Sequence, residues 1–255
     1  MEHVIRNKGK KHAINDEEML MTASNLIMAG AETTAMLLAG TTFLLLQEPQ
    51  EALCLLTEEV RRSFASSDDI TMSSTSHLPY LKAVIEESLR LFPPVPITLP
   101  RVTPPEGCTI AGRFVAGGTR VMLNQVAAYR SPLHFKNPNG FHPERWLQHL
   151  DEETTIRTKW EATTQYENDN LKILKPFSTG PRNCIGKHLA YGEVRTILAK
   201  ILWKFDLELD RASEGWMDSL RIWGVWEKKP LYIKFTEAMR NTMPTKDTSV
   251  ETCRP

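Results

Sequence analysis

The stretch FSTGPRNCIG combines residue types that suit a cysteine acting as a metal ligand through its sulfur. Cys184 comes just before a predicted helix, whose N-terminal N–H groups and positive dipole end stabilise a thiolate. Gly180 permits a tight turn with positive φ, and Gly186 lets a flat ligand approach the backbone. Phe177 can keep water away from the sulfur, and Arg182 can pair with an anionic group of that ligand. The alternative is a buried free cysteine, a common fate for this residue type.

A second stretch, AGAETT, places an acid beside an alcohol within a long apolar run. In the functional interpretation, Glu32 relays protons, Thr33 hydrogen-bonds a bound ligand, and Gly30 leaves room for that ligand. In the structural interpretation, the threonines bond back to helix carbonyls and Glu32 lies in a core salt bridge. This motif taken alone leaves both interpretations open.

A third motif, Glu87 followed by Arg90, is an acid–base pair spaced for one helix face. Pairs of this kind stabilise a helix only slightly when they are exposed. Taken alone, the pair is typical of a solvated helix surface.

The AGAETT motif lies on the longest predicted helix. Asn15 followed by Glu18 fits a capping box, and the helix should run to about Gln47, before Pro49. Because this helix is apolar on most sides, we expect it to cross the interior of its domain. Its length would permit a membrane span, but Glu32 near its middle favours a core helix and no membrane span.

Three further helices are predicted, over residues 50–66, 80–91 and 185–204, the second of them opened by Pro79. The first of the three turns apolar residues to one side, as expected of a helix packed on a core. Its opposite face, predicted to be solvated, carries Glu58, Glu59, Arg61 and Arg62.

The rest of the chain contains short strands and loops. The segments CTIAGRF and VAGGTRVML predict strands, as do FDLEL, RIWGVW and LYIKF near the end. Residues 65–77 are predicted to form a loop, and residues 148–170 a polar surface insertion. We predict a polar N-terminal segment over residues 1–14, one domain over 15–238 and a disordered tail over 239–255.

Composition excludes several classes of function. Hydrophobic residues make up 41% and charged residues 24%, as in ordinary globular domains. Lys plus Arg and Asp plus Glu are both 31, so no net charge favours nucleic acid, and no nucleic-acid partner is expected. The four cysteines form no CxxC pair, which predicts reduced thiols rather than a zinc ribbon or a disulfide framework.

Taken together, the motifs resemble those of the cytochrome P-450 superfamily. The stretch around Cys184 matches the FxxGxRxCxG heme-ligand loop of that superfamily at every defining position. AGAETT is similar to the A/G-G-x-D/E-T-T motif, ESLR to ExxR, and FHPERW to the PERF-like segment, in the family's order. The resemblance implies the C-terminal, heme-binding half of the cytochrome P-450 fold, mainly α with small β-sheets. The sequences of the motifs most resemble those of fungal secondary-metabolism members.

The resemblance implies a role for each motif. Cys184 would be the proximal thiolate ligand of heme b (iron protoporphyrin IX), and a thiolate ligand favours O–O cleavage. Glu32 and Thr33 would deliver protons on the open face of the heme. Arg101 would lie near a propionate, with an exposed arginine at a strand edge as the alternative.

The ExxR and PERF-like motifs would cooperate. By resemblance, Glu87, Arg90 and Arg145 form a buried network that fixes the loop beneath the heme, a structural rather than a chemical role.

The implied reaction is the insertion of one oxygen atom from O2 into a small organic substrate. Electrons would come from NADPH through a reductase. Family members are roughly twice this length, and the expected location is cytoplasmic or at the cytosolic face of the endoplasmic reticulum, without the usual anchor. The alternatives are a truncated, inactive fragment and a non-catalytic heme-binding protein. We also expect a large exposed apolar face.

Overall fold

The computed structural model describes residues 14–47, 51–147 and 165–239, and helices dominate these segments. The α-helices in this part of the chain are α1 Asp16–Leu46, α2 Glu51–Ser63, α3 Pro79–Leu91, α4 Gln125–Tyr129 and α5 Lys187–Lys204. Short 3-10 helices, including Ser67–Asp69 and Ser74–His77, lie within the connection predicted as a loop. The predicted class, mainly α with small β-sheets, is confirmed.

The strands of the described residues form three antiparallel pairs, β1 with β4, β2 with β3, and β5 with β6. Their bounds are β1 Arg101–Val102, β2 Cys108–Ile110, β3 Arg113–Val115, β4 Arg120–Val121, β5 Phe205–Leu209 and β6 Ile233–Glu237. The prediction of a strand over RIWGVW is wrong. Its ends meet in a single bridge between Ile222 and Trp226, because Gly224 turns the chain with a φ of +104°.

The core lies where α3 packs among α1, α2 and α5. Buried apolar side chains of α3 meet those of α2 and α5, and Val84, Leu56 and Leu198 have no exposed surface. Burial of this kind stabilises by about 25 cal/mol per Å² of apolar surface. The ExxR motif therefore lies on the central helix of this core.

Helix α1 begins as predicted and divides into two halves. Asn15 and Glu18 form the reciprocal capping box, with bonds of 2.8 and 2.9 Å. From Thr34 to Leu45 the helix contributes to the core. The expectation that the helix crosses the interior of its domain holds only for this second half, because the first half is exposed, including Leu20, Met21, Leu26, Ile27 and Met28. These residues form part of the expected exposed apolar face.

By length and composition, α1 is the one helix of the described residues that could also cross a membrane. Core helices pass the same test, and the buried second half of α1 belongs to the core. The prediction of no membrane span stays a prediction.

Helix α1 meets the residue that follows α3 at a glycine. A Cβ atom on Gly40 would lie 2.1 Å from the Phe92 ring, which follows α3. Phe92 in turn stacks on Trp226 at 4.6 Å and contacts Trp216 at 5.9 Å between ring centroids. Gly40 is therefore required by packing, since any side chain would displace a buried ring.

Helix α2 differs from its prediction on its polar face. The Glu59 carboxylate accepts hydrogen bonds from the backbone N–H groups of Tyr80 and Leu81, both at 2.8 Å. Arg61 donates to the Leu202 and Phe205 carbonyls, at 3.0 and 3.1 Å. This face is thus not simply solvated, because it caps the start of α3 and the end of α5.

Other sequence predictions have mixed outcomes. Of the cysteines, Cys108 and Cys184 are free thiols in the described part of the chain. Part of the predicted surface insertion, residues 148–164, lies outside the described residues, as does the tail from residue 240 and the N-terminal segment before residue 14. Within the insertion, Tyr166 is buried, so a purely surface insertion is wrong.

Glu59 should make stability depend on pH. Burial raises the pKa of Glu59 from 4.5 to about 7, and the two backbone hydrogen bonds only partly oppose this. A raised carboxyl pKa means that its contribution is complete below about pH 4.5 and is lost as the pH rises through 7. We expect the wild-type chain to lose about 1–2 kcal/mol more stability than Glu59→Gln between pH 5 and 8, allowing for solvent screening.

Urea unfolding of both chains at the two pH values measures this difference. Glu58→Gln, which removes a carboxylate that pairs with Arg62 on the same helix, serves as control and should behave like wild type. Equal pH dependence of wild type and Glu59→Gln would show that the pKa of Glu59 is not raised.

Candidate functional site

The Cys184 loop is closed by its own backbone. The Cys184 N–H donates to the Phe177 carbonyl at 2.9 Å, and the Asn183 N–H donates to the Gly180 carbonyl at 3.1 Å. Gly180 has a φ of +77°, as its position in the motif predicts, and Ser178 is also left-handed at +60°. Left-handed backbone at a non-glycine residue is costly and persists only where its surroundings hold it. The loop therefore has a defined shape that projects Cys184.

Cys184 lies at an exposed, apolar end of helix α5. The thiol is free and exposed, and the next residue, Ile185, is 90% exposed. A Cβ on Gly186 would lie 3.8 Å from the Cys184 Sγ, an ordinary contact. The alternative of a buried free cysteine is wrong in this structure. Arg182 is exposed in the same loop, and His188 is exposed on the first turn of α5.

The acid–alcohol pair of α1 makes the threonine back-bond of the structural interpretation, but its ion pair is partly exposed, so the expected core salt bridge is wrong. The Thr33 hydroxyl donates to the Ala29 carbonyl at 2.7 Å, and Glu32 forms an ion pair with Lys228. Gly30 borders open space, since a Cβ atom added there would meet nothing within 4 Å. A hydroxyl that bonds back to its helix retains an acceptor lone pair, so these contacts leave the proton-relay role as a prediction.

The structure brings Glu87, Arg90 and Arg145 together at a site with no exposed side-chain surface. Arg90 donates two hydrogen bonds to the Glu87 carboxylate, of 2.7 and 2.9 Å, and Arg145 donates one of 3.2 Å. The Trp146 indole and the His142 backbone N–H also donate to Glu87, each at 2.9 Å. Every part of this carboxylate is therefore bonded, as a buried charge requires.

Glu87 remains ionised in this network. Burial alone would raise the pKa of Glu87, but the hydrogen bond and charge of Arg90 and the charge of Arg145 outweigh it and hold the pKa below its usual value. The two guanidinium groups lie 5.0 and 5.5 Å from the centre of the Phe135 ring. The face of this ring attracts both guanidinium groups and so partly offsets the repulsion between the two arginine charges.

Sequence reasoning missed part of the network. Asp169 forms an ion pair with Arg145, and Tyr166 places its ring 4.5 Å from the same guanidinium. Both residues lie in the segment interpreted as a polar insertion, and no local pattern distinguishes them there. The role of Asp169 depends on a contact across 24 positions of the chain, which spacing alone does not indicate.

The network connects to the Cys184 loop through Tyr129. Arg90 donates to the Tyr129 carbonyl at 2.8 Å, and the Tyr129 hydroxyl accepts from the Lys175 N–H at 2.8 Å. Lys175 in turn accepts from the Ser178 N–H at 2.9 Å, at the first turn of the loop. A short series of bonds thus joins α3 to the segment that carries Cys184.

Arg101 lies on strand β1 and is exposed, and its guanidinium donates to the Pro100 carbonyl at 3.1 Å. This is the exposed strand arginine of the alternative interpretation. An exposed guanidinium is also free to meet an anionic ligand, so the proposed contact with a propionate stays a prediction.

Comparison with known proteins identifies the family to which this chain belongs. The sequence profile described as Cytochrome P450 matches residues 1–235. This chain therefore belongs to the cytochrome P450 family.

Similar proteins come from fungi, which confirms the predicted similarity to fungal members. The chain is 45% identical over 236 residues to a trichothecene C-4 hydroxylase of Trichoderma arundinaceum, covering 92% of this chain and 45% of that protein. It is 42% identical over 234 residues to an averantin hydroxylase of Dothistroma septosporum, covering 91% of this chain and 42% of that protein. It is also 42% identical to the cytochrome P450 monooxygenase tpeC of Talaromyces stipitatus, over 98% of this chain and 44% of that protein. The chain spans less than half the length of these relatives.

The residues around Cys184 fit a heme. A heme is flat and largely apolar, and it needs an exposed axial ligand and cations for its carboxylates. Cys184 supplies a free, exposed sulfur, Ile185 and Leu189 supply exposed apolar surface, and Arg182 supplies a cation. Among the residues that the structure describes, no three His, Cys, Asp or Glu side chains cluster to hold a bare metal ion. A single protein sulfur as ligand suits a metal whose other ligands come from a macrocycle.

Removal of one arginine should destabilise the network strongly. Arg145→Ala leaves Glu87 and Asp169 with less compensation in a buried site, so we expect a loss of about 3–5 kcal/mol. Arg62→Ala, which breaks an exposed ion pair with Glu58, is the matched control and should cost about 0–1 kcal/mol. Urea unfolding of the three chains measures the difference. A similar cost for both variants would contradict the network's role.

Proposed function

We propose that this chain is the heme-binding half of a monooxygenase that inserts one oxygen atom from O2 into a small organic substrate. The observation that carries the proposal is the Cys184 loop, whose closed backbone presents a free, exposed thiol at the start of a helix. The family and its fungal hydroxylase relatives support this reaction. The names of those relatives also favour a secondary metabolite as substrate.

Cys184 would hold the heme, and its position suits a thiolate. The backbone N–H groups at the start of α5 lie just after Cys184 and favour negative charge there. Phe177 contacts the ring of Tyr191 and covers the loop from the protein side. When bound, heme b with a thiolate ligand supplies the oxygen activation, since thiolate donation favours O–O cleavage.

Glu32 and Thr33 would handle protons. Glu32 is paired with Lys228, and its own side chain is 34% exposed, so this carboxylate is within reach of water. Thr33 is the next residue, and its hydroxyl oxygen can accept a hydrogen bond while its hydrogen bonds the Ala29 carbonyl. To pass a proton on, the hydroxyl hydrogen would turn from that carbonyl towards the ligand. Gly30 leaves open space one turn earlier. The pair is thus suited to pass protons towards a ligand held beside α1.

The proposed partners follow from the reaction. Two electrons must reach the site for each oxygen molecule, and we assign them to NADPH through a reductase. The cytosolic face of the endoplasmic reticulum is the proposed location, and it rests on the family resemblance.

The absorbance spectrum of the chain with heme, reduced and exposed to carbon monoxide, tests Cys184. We expect the strongly red-shifted Soret band of thiolate ligation in the wild-type chain and its loss in Cys184→Ala, because that variant has no sulfur ligand. Cys108→Ala, at the chain's other described free cysteine, is the control and should keep the band. A band typical of imidazole or neutral thiol in the wild type would contradict the proposal. A thiolate band without NADPH consumption in the presence of a reductase would favour the non-catalytic alternative.

Thr33→Ala should separate electron use from product formation. Without the hydroxyl, protons arrive poorly, so we expect more of the NADPH consumed to yield hydrogen peroxide and less to yield product. The ratio of peroxide to NADPH consumed, measured with a reductase, reports this change. Thr42→Ala, which removes a hydroxyl that also bonds back to its helix, controls for effects on α1 itself. An unchanged ratio in Thr33→Ala would exclude the role.

A further inference from the structure

A hydrogen bond from helix α5 to helix α3 lies directly behind the Cys184 loop. The Tyr191 hydroxyl donates to the Glu86 carboxylate at 2.7 Å, joining residues 105 positions apart. The Tyr191 ring lies 5.1 Å from the Phe177 ring between centroids, tilted by 44°. Phe177 is the residue whose carbonyl accepts the Cys184 N–H at 2.9 Å. Glu86 is therefore linked to the Cys184 loop through Tyr191, by one hydrogen bond and one ring contact.

This hydrogen bond is held in a largely buried setting. Burial raises the pKa of Glu86, while the Tyr191 hydrogen bond and the charges of Lys82 and Lys187 oppose it. Burial and the nearby Glu86 raise the pKa of Tyr191, so this phenol stays protonated and donates. A charge-assisted hydrogen bond of this kind is stronger and more directional than a neutral one.

Lys187 interacts with both Phe177 and Glu86. Its ammonium lies 5.9 Å from the centre of the Phe177 ring, and its charge acts on Glu86. The first residue of α5, the ring beneath the loop and the acid on α3 are thus coupled electrostatically. Glu86 is not part of the ExxR network, because it is the residue before Glu87 and turns to α5 rather than to Arg145.

We infer that Glu86 and Tyr191 are positioning residues for the Cys184 thiolate: their hydrogen bond fixes the Tyr191 ring against Phe177 and so holds the loop that presents the sulfur. The part that concerns the iron–sulfur bond rests on the proposed function. The part that concerns the order of the loop stands without heme. The Tyr191 ring reaches the loop at Phe177, two residues after Lys175, through which the loop is tied to Tyr129.

Hydrogen exchange of the Cys184 amide in the heme-free chain tests the loop. We expect Tyr191→Phe, which keeps the ring and removes the hydroxyl, to lower the protection of this amide roughly fivefold, as the loss of a supporting hydrogen bond would. Glu86→Gln should have a similar effect, and the double variant should be no worse than either single one. Trp203→Phe is the matched control, since it removes a buried hydrogen bond to the Phe64 carbonyl about 18 Å further along α5.

The spectrum of the heme-loaded, reduced chain with carbon monoxide tests the iron–sulfur bond. We expect Tyr191→Phe and Glu86→Gln to shift absorbance from the thiolate band towards the neutral-thiol band, while Trp203→Phe keeps the wild-type ratio. Unchanged Cys184 protection, or equal loss of protection in the control, would overturn the inference. Reduced protection with an unchanged spectrum would overturn the link to the iron. A wild-type chain without any thiolate band would count against the proposed function, and amide exchange would still decide the role of Glu86 and Tyr191.

Discussion

The rest of the structure depends on a carboxylate, Glu87, that is buried with two arginines. Removing three charges from water costs several kcal/mol each unless every lone pair and N–H group finds a partner. Here Arg90 also donates to the Tyr129 and Gly140 carbonyls, and Arg145 donates to the Lys136 carbonyl. Because each bond is directional, the network allows one arrangement of the segments that it joins.

The network contributes position rather than strength. Apolar side chains of equal volume would often stabilise the fold as well as buried ions do. Apolar side chains would not specify where the chain around Tyr129 and the segment around Lys175 must lie relative to α3. The Cys184 loop begins immediately after Lys175, so its origin is set through Arg90 on α3. This explains why charged groups occupy the centre of the fold.

Sequence reasoning predicted what depends on local chemistry. The capping box at Asn15, the helix start at Pro79 and the positive φ of Gly180 each depend on interactions within a few residues, and all are present. The three members of the central network came from family resemblance, because a pair spaced like Glu87 and Arg90 is common on helix surfaces.

Predictions were missing or wrong where the chain makes contacts between distant segments. Glu59 carries the same side chain as its neighbour Glu58, and only the packing of α2 on α3 turns it into a cap. Asp169 and Tyr166 lie in a polar segment with no periodicity, yet they complete the central network. Burial and partner, rather than residue type, decide what these side chains do, and neither can be derived from one sequence.

The contact between Gly40 and Phe92 has a mechanical consequence for α1. A one-turn slide of this helix would bring Met36, Leu37, Phe43 or Leu44 to the place where Phe92 leaves no room even for a methyl group. Phe92 cannot yield, because Trp216 and Trp226 hold its ring. The helix therefore cannot slide along its axis. The first half of the helix, which carries Gly30, is exposed, but its register relative to α3 is set by the contact at Gly40.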